Sequence, residues 1–145
     1  MMTNRRTFLH SCSVLAVGAL LPTTGRPATA HTHCVHGGPL GPHPTPRPGI
    51  TAAKVLTKEQ LSHDPGMIPL FDSIREIPEV VDGIRCNCGC ASSPGFYSLL
   101  SCYEGSAMAQ YCPICQGQGR LVARLHKQGK SLEDIRVAVD AQFGG

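Results

Sequence analysis

Read for the placement of apolar side chains, the chain divides into three stretches of different character. Ser13 to Leu21 is a short, moderately apolar run containing Gly18 and ended by Pro22, too short for a comfortable membrane span. From His31 to Gly49 the prolines at 39, 42, 44, 46 and 48 prevent regular structure, which predicts a mobile, disordered Pro/Gly/His linker over residues 31–50. Helical spacing governs the remainder. Thr57 as N-cap, followed by Glu59-Gln60-Leu61, predicts a short helix closed by Asp64-Pro65. Ile68, Phe71, Ile74 and Ile77 predict a helix within 67–77, and Pro78 suits the first turn of another reaching Gly83. Ile114, Leu121 and Leu125 share one face of a helix predicted from Pro113 through Lys127, with Gly129 as its stop. Ser131 and Asp134 form a capping box that opens a last amphipathic helix through Leu132, Ile135 and Val139 toward Phe143. Between Cys86 and Cys115, turn chemistry at Gly89, Pro94, Gly95 and Gly105 surrounds one apolar stretch, Phe96 to Tyr103. No β alternation of useful length and no internal repeat is visible. The predicted fold class is mostly α: a small helical domain over residues 51–145, built around a cysteine cluster.

The N-terminus reads as an address. Asn4-Arg5-Arg6-Thr7-Phe8-Leu9 precedes the apolar run, and Ala28-Thr29-Ala30 offers the small residues a signal peptidase reads. This is the pattern of a twin-arginine signal peptide over residues 1–30, with the mature chain starting at His31. It implies the twin-arginine translocase as partner during export and a location in the periplasm or on the outer side of the cell envelope. Cys12 falls in the discarded segment. That route handles folded cargo, so a cofactor can be loaded before crossing.

Composition narrows the function. Thirteen Lys and Arg against ten Asp and Glu give a net charge of +3, scattered along the chain rather than gathered into a nucleic-acid footprint, so no nucleic-acid partner is expected. Tryptophan is absent, which limits base stacking. No paired-carboxylate, serine-triad or phosphate-loop signal supports a hydrolase or a kinase, so a binding protein is expected ahead of an enzyme.

Cysteine spacing carries the chemistry. Cys86, Cys88 and Cys90 put three thiols in five residues, Cys102 follows a turn region, and Cys112-Pro113-Ile114-Cys115 opens the long helix. A two-residue separation lets both sulfurs reach one ion at the roughly 2.3 Å of a zinc–thiolate bond, and thiolates also select Cu(I) over hard cations. A helix N-terminus favours the thiolate forms of Cys112 and Cys115, which is what a metal requires. Two other readings stay open. An even number of cysteines in a small exported domain suits disulfide staples, although cysteines one residue apart bridge each other only with strain. Cys112 and Cys115 also have the spacing of a redox pair, without the βαβ context that usually holds one.

The run from Cys86 to Phe143 resembles the PCYCGC-motif proteins, small exported or lipid-anchored bacterial proteins. The likeness rests on Cys86-Asn87-Cys88-Gly89-Cys90, Gly95 with Ser98, Cys102-Tyr103, Cys112-x-x-Cys115 and the tail Gly129-Lys130-Ser131-Leu132-Glu133-Asp134-Ile135-Arg136. Arg85 replaces the motif's proline, Asn87 its tyrosine, and Phe96 stands where a histidine usually follows the glycine. The resemblance implies an exported cysteine cluster for metal, all-thiolate here if that histidine is a ligand elsewhere. Over fewer residues, Cys112-Pro113-Ile114-Cys115-Gln116 and the tail helices are similar to the thiol-reducing subunit of cytochrome c maturation, which implies thiol–disulfide exchange with a redox partner.

A mature chain beginning His31-Thr32-His33 can wrap Cu(II) or Ni(II) in a square-planar nitrogen set, with Cys34, His36 and His43 as nearby ligands; the plainer alternative is a solvated linker. The leading expectation is a non-enzymatic protein that buffers, transfers or detoxifies a soft metal through Cys86, Cys88, Cys90, Cys102, Cys112 and Cys115, with a metal-receiving protein as partner. Cu(I) leads because the thiols outnumber the four that one tetrahedral zinc requires; zinc is the alternative. A thiol–disulfide oxidoreductase and a disulfide-stapled interaction module are the competing expectations.

Overall fold

Prolines set the entry to three of the four α-helices among the described residues. In the computed structural model, which describes residues 41–89 and 93–144, α1 (Ile68–Glu76) follows a 3₁₀ turn at Pro65–Met67 and carries Pro69 in its first turn. It ends because Ile77 precedes Pro78, whose ring disfavours the helical conformation for its predecessor. α2 (Pro78–Asp82) starts on that proline and stops at Gly83, whose N–H reaches back to Glu79 and Val80. α3 (Pro113–Lys127) uses Pro113 at its first position and ends in a Schellman motif. Gly129, at φ +75°, donates to His126 O at 2.8 Å while Lys130 donates to Leu125 O at 3.1 Å. α4 (Leu132–Phe143) opens on the reciprocal Ser131–Asp134 capping box.

The described residues are mostly helical, with these four α-helices and no strand; an isolated bridge joins Val55 to Glu104. α3 is the central element, packed against both α1 and α4. Phe71 and Ile74 of α1, Leu121 and Val122 of α3, Ile135 and Val139 of α4, and Leu99, Leu100 and Tyr103 between them form one buried core. Phe71 and Tyr103 meet edge to face, with ring centroids 5.0 Å apart.

Two expectations change. The helix predicted at Thr57–Ser62 is a single capped turn: Thr57 N–H donates to Gln60 Oε1, Gln60 N–H returns to Thr57 Oγ1, and Leu61 is buried beneath. One turn closes too few backbone bonds to propagate, and Asp64-Pro65 ends it. The expected linker also needs correcting over its last ten residues. Residues 41–50 lack regular structure, as their prolines require, but they lie as an ordered strap along α2 and α4. Arg47 grips the buried Asp82 through its backbone N–H at 2.8 Å, Nε at 3.0 Å and Nη2 at 2.7 Å. Arg136 of α4 holds Pro44 O at 2.8 Å and Gly83 O at 3.0 Å, and Tyr97 donates its hydroxyl to Thr45 O at 2.6 Å. Hydrophobic periodicity carries no trace of such anchoring, which comes from single side chains distant in sequence. The signal segment 1–30, residues 31–40 with His31, His33 and Cys34, and Cys90 lie outside the described residues.

Candidate metal centre

Three separate segments deliver the cysteines. Cys86 and Cys88 sit on the loop that leaves α2, which Leu99 N–H fastens by donating to Ile84 O at 2.7 Å. Gly89, at φ +86°, turns the chain away immediately after Cys88. Cys102 lies on a 3₁₀ turn, Leu100–Tyr103, whose residues are all buried. The chain then reverses through Gly105 and Ala107, both at positive φ, and returns Cys112 as the N-cap of α3 with Cys115 in its first turn. Ala107 is the one non-glycine residue at positive φ among the described residues, a conformation with a steric cost that the surrounding core must hold in place.

The sulfurs converge. Cys86 Sγ lies 3.1 Å from Cys88 Sγ and 3.6 Å from Cys115 Sγ, and Cys115 Sγ is 3.4 Å from Cys88 Sγ. With Cys102 they make a set of four whose sulfurs all fall within 4.8 Å of one another, and all four residues are buried. A tetrahedral ion with bonds of roughly 2.3 Å needs sulfurs about 3.8 Å apart. The set is therefore close to the right size, and an ion would spread it slightly. The three separations far exceed a sulfur–sulfur bond of about 2.05 Å, and no disulfide joins Cys86, Cys88 and Cys115 in this structure. Cys112 is 3% exposed and belongs to the same hydrogen-bonded sulfur group, beside Cys88 and Cys115.

The crowd ionises unevenly. Hydrogen bonds from neighbouring thiols, that of Cys102 first and then Cys112, Cys115 and Cys86, pull the Cys88 thiol far below its ordinary range. Cys115, bonded to the same set with Cys102 again first, is pushed far up because it serves as the donor. A cation that entered this group would displace the thiol protons, since a cysteine binds metal as the thiolate. Burial above all pushes Tyr103 upward, so its hydroxyl stays protonated and donates to Cys115 O at 2.8 Å.

Polar residues brace the first loop. Asn87 N–H donates to Gln118 Oε1 of α3 at 3.2 Å, and Arg85 Nε donates to Asn87 Oδ1 at 3.0 Å. Arg85 also reaches Asp140 Oδ1 at 2.5 Å, while its backbone N–H donates to His43 Nδ1 at 3.0 Å. His43 Nε2 lies 3.2 Å from Asp140 Oδ2. His43, expected among the nearby ligands, is therefore a strut between the strap and α4, with both ring nitrogens turned to protein groups. Burial lowers its pKa below 6.5, although Asp140 opposes the shift.

Of the residues singled out from sequence, the fold brings together Cys86, Cys88, Cys102 and Cys115 and seats Cys112 beside them. Arg85, Asn87 and Gln118 were missed, although Gln118 interrupts the apolar face of α3 one turn beyond Cys115, a polar residue placed where a core residue is expected. An open groove between α1 and α3, lined by Leu70, Ile77, Arg120, Arg124 and Lys127 among others, contains no cysteine. No helix among the described residues is long and apolar enough to cross a membrane.

Fold and site together define a small helical protein with a buried four-cysteine cluster that could hold a metal ion. No protein-family model matches the chain, and no curated protein or solved structure matches it either.

Proposed function

We propose that this is an exported metal-binding protein of the PCYCGC-motif type that buffers, transfers or sequesters a soft ion, Cu(I) first and zinc second, in a thiolate site. The observation that carries the reading is the convergence of Cys86, Cys88, Cys102 and Cys115 from three segments into one buried cluster of ion-sized dimensions. Thiolate ligands suit both ions. The fifth buried sulfur, Cys112, favours copper, because one tetrahedral zinc has no use for it. Export rests on the twin-arginine pattern of residues 1–30. Burial speaks against the redox alternative: Cys112 and Cys115 are 3% and 0% exposed, whereas an exchanging cysteine must meet its partner's sulfur.

The test is elemental analysis with thiol titration on protein purified without oxygen. Copper or zinc at one equivalent or more, with thiols titratable after metal removal, supports the reading. Metal-free protein whose cysteines are all in disulfides overturns it, and insulin reduction lost in Cys112→Ser would put a thiol–disulfide oxidoreductase in its place.

A further inference from the structure

Two buried carboxamides neighbour the cluster's cysteines along the chain, and a donor fixes the orientation of each. Asn87, 4% exposed, accepts from Arg85 Nε through Oδ1, and Gln118, fully buried, accepts the Asn87 N–H through Oε1. Only the oxygen of a carboxamide can meet a donor, so both NH₂ groups must occupy the other side. Neither Asn87 Nδ2 nor Gln118 Nε2 has a hydrogen-bond partner among the described residues. Buried polar atoms are rarely left unmet, and two together at one place ask for a common acceptor.

Their position indicates which one. Asn87 lies between Cys86 and Cys88, and Gln118 follows Cys115 by one helical turn; those three sulfurs are 3.1–3.6 Å apart. Neutral thiols are weak acceptors, but a thiolate bound to a metal keeps lone pairs and negative charge. Four thiolates outweigh the charge of Zn²⁺ or Cu⁺, and the nearby Arg85 guanidinium is already engaged with Asp140 and Asn87. We propose that Asn87 Nδ2 and Gln118 Nε2 are N–H···S donors to the metal-loaded cluster, positioning residues that stabilise its excess negative charge and set its affinity. This rests on the metal-site reading and extends it to residues that touch no ion.

The variants Asn87→Asp and Gln118→Glu keep the accepting oxygen of each group and remove the donor. Zinc affinity, measured by competition with a chromophoric chelator under reducing conditions, should fall about 10–100-fold in each, and the sulfur-to-cobalt charge-transfer bands of the Co(II)-substituted variants should shift from those of wild type. A measurement on wild type avoids any folding defect in the variants: adding zinc should move the side-chain NH₂ resonances of both residues and slow their exchange with solvent. Zinc affinities within about twofold of wild type in both variants, well under that outer-shell range, would overturn the assignment. So would NH₂ resonances that stay in place while wild type binds zinc. Wild type that takes up no zinc, copper or cobalt brings down the metal site itself, a result distinguishable from either of these.

Discussion

Gly119 sets two effects of opposite sign against each other. It lies inside α3, where glycine is a poor helix former, so alanine in its place is worth about 1 kcal/mol by propensity alone. The structure forbids that gain. A Cβ built on Gly119 would lie 1.9 Å from Tyr103 Oη, 2.9 Å from its Cζ and 3.3 Å from Ile74 Cδ1, well inside the roughly 3.5 Å at which non-bonded carbon atoms sit comfortably. Tyr103 is fully buried against Phe71 and bonds Cys115 O, so it cannot yield without losing that bond. Forced overpacking costs about 1–3 kcal/mol, and a buried hydrogen bond with an orphaned partner costs about 1–3 kcal/mol more. After the propensity gain, Gly119→Ala should destabilise the fold by about 3 kcal/mol. With a urea slope of about 2 kcal/mol/M, the midpoint falls by about 1.5 M. Urea unfolding of reduced protein, followed by far-UV circular dichroism, reads this directly. Tyr103→Phe removes the closest clash, so the alanine should cost markedly less in the double variant. A midpoint unchanged or raised in Gly119→Ala would refute the argument, since propensity would then have prevailed.

Three further outcomes follow from the same structure. Zinc at about a thousand times its dissociation constant should stabilise reduced protein by about 4 kcal/mol, with the gain shrinking as pH falls because protons compete for the sulfurs; thermal melts with and without zinc at two pH values check this. Cys102→Ser should weaken zinc binding at least about tenfold, whereas Cys112→Ser, outside the four-sulfur set, should leave it within about threefold, since one tetrahedral zinc uses four ligands; chelator competition decides. His43 has its folded pKa below 6.5, so the unfolded chain binds the extra proton between the two values, and its contribution is present above 6.5 and lost as pH falls below it. Metal-free wild type should therefore lose urea stability below about pH 6.5 more steeply than His43→Gln; parallel slopes would remove His43 from the strap's energetics.

Local rules made much of this molecule legible from its residues. Helix starts at Pro78, Pro113 and Ser131, the stop at Gly129 and the apolar stripes of α1, α3 and α4 are each written within a few neighbouring positions, because caps and periodicity are short-range physics. The crowding of sulfur between positions 86 and 115 was equally visible and already pointed toward a soft ion. Tertiary structure decided the rest. Which four sulfurs share a centre depends on a loop, a 3₁₀ turn and a helix N-terminus meeting in space: spacing favoured Cys112, paired with Cys115, whereas the fold puts the solitary Cys102 in the four-sulfur set. The strap shows the same limit: prolines foretold that residues 41–50 would be irregular, but their order comes from Asp82, Arg136 and Tyr97, up to 92 positions away. Gln118 marks the boundary most sharply, since a lone amide on an apolar helix face acquires meaning only when folding sets it against the backbone of Asn87, between two cysteines.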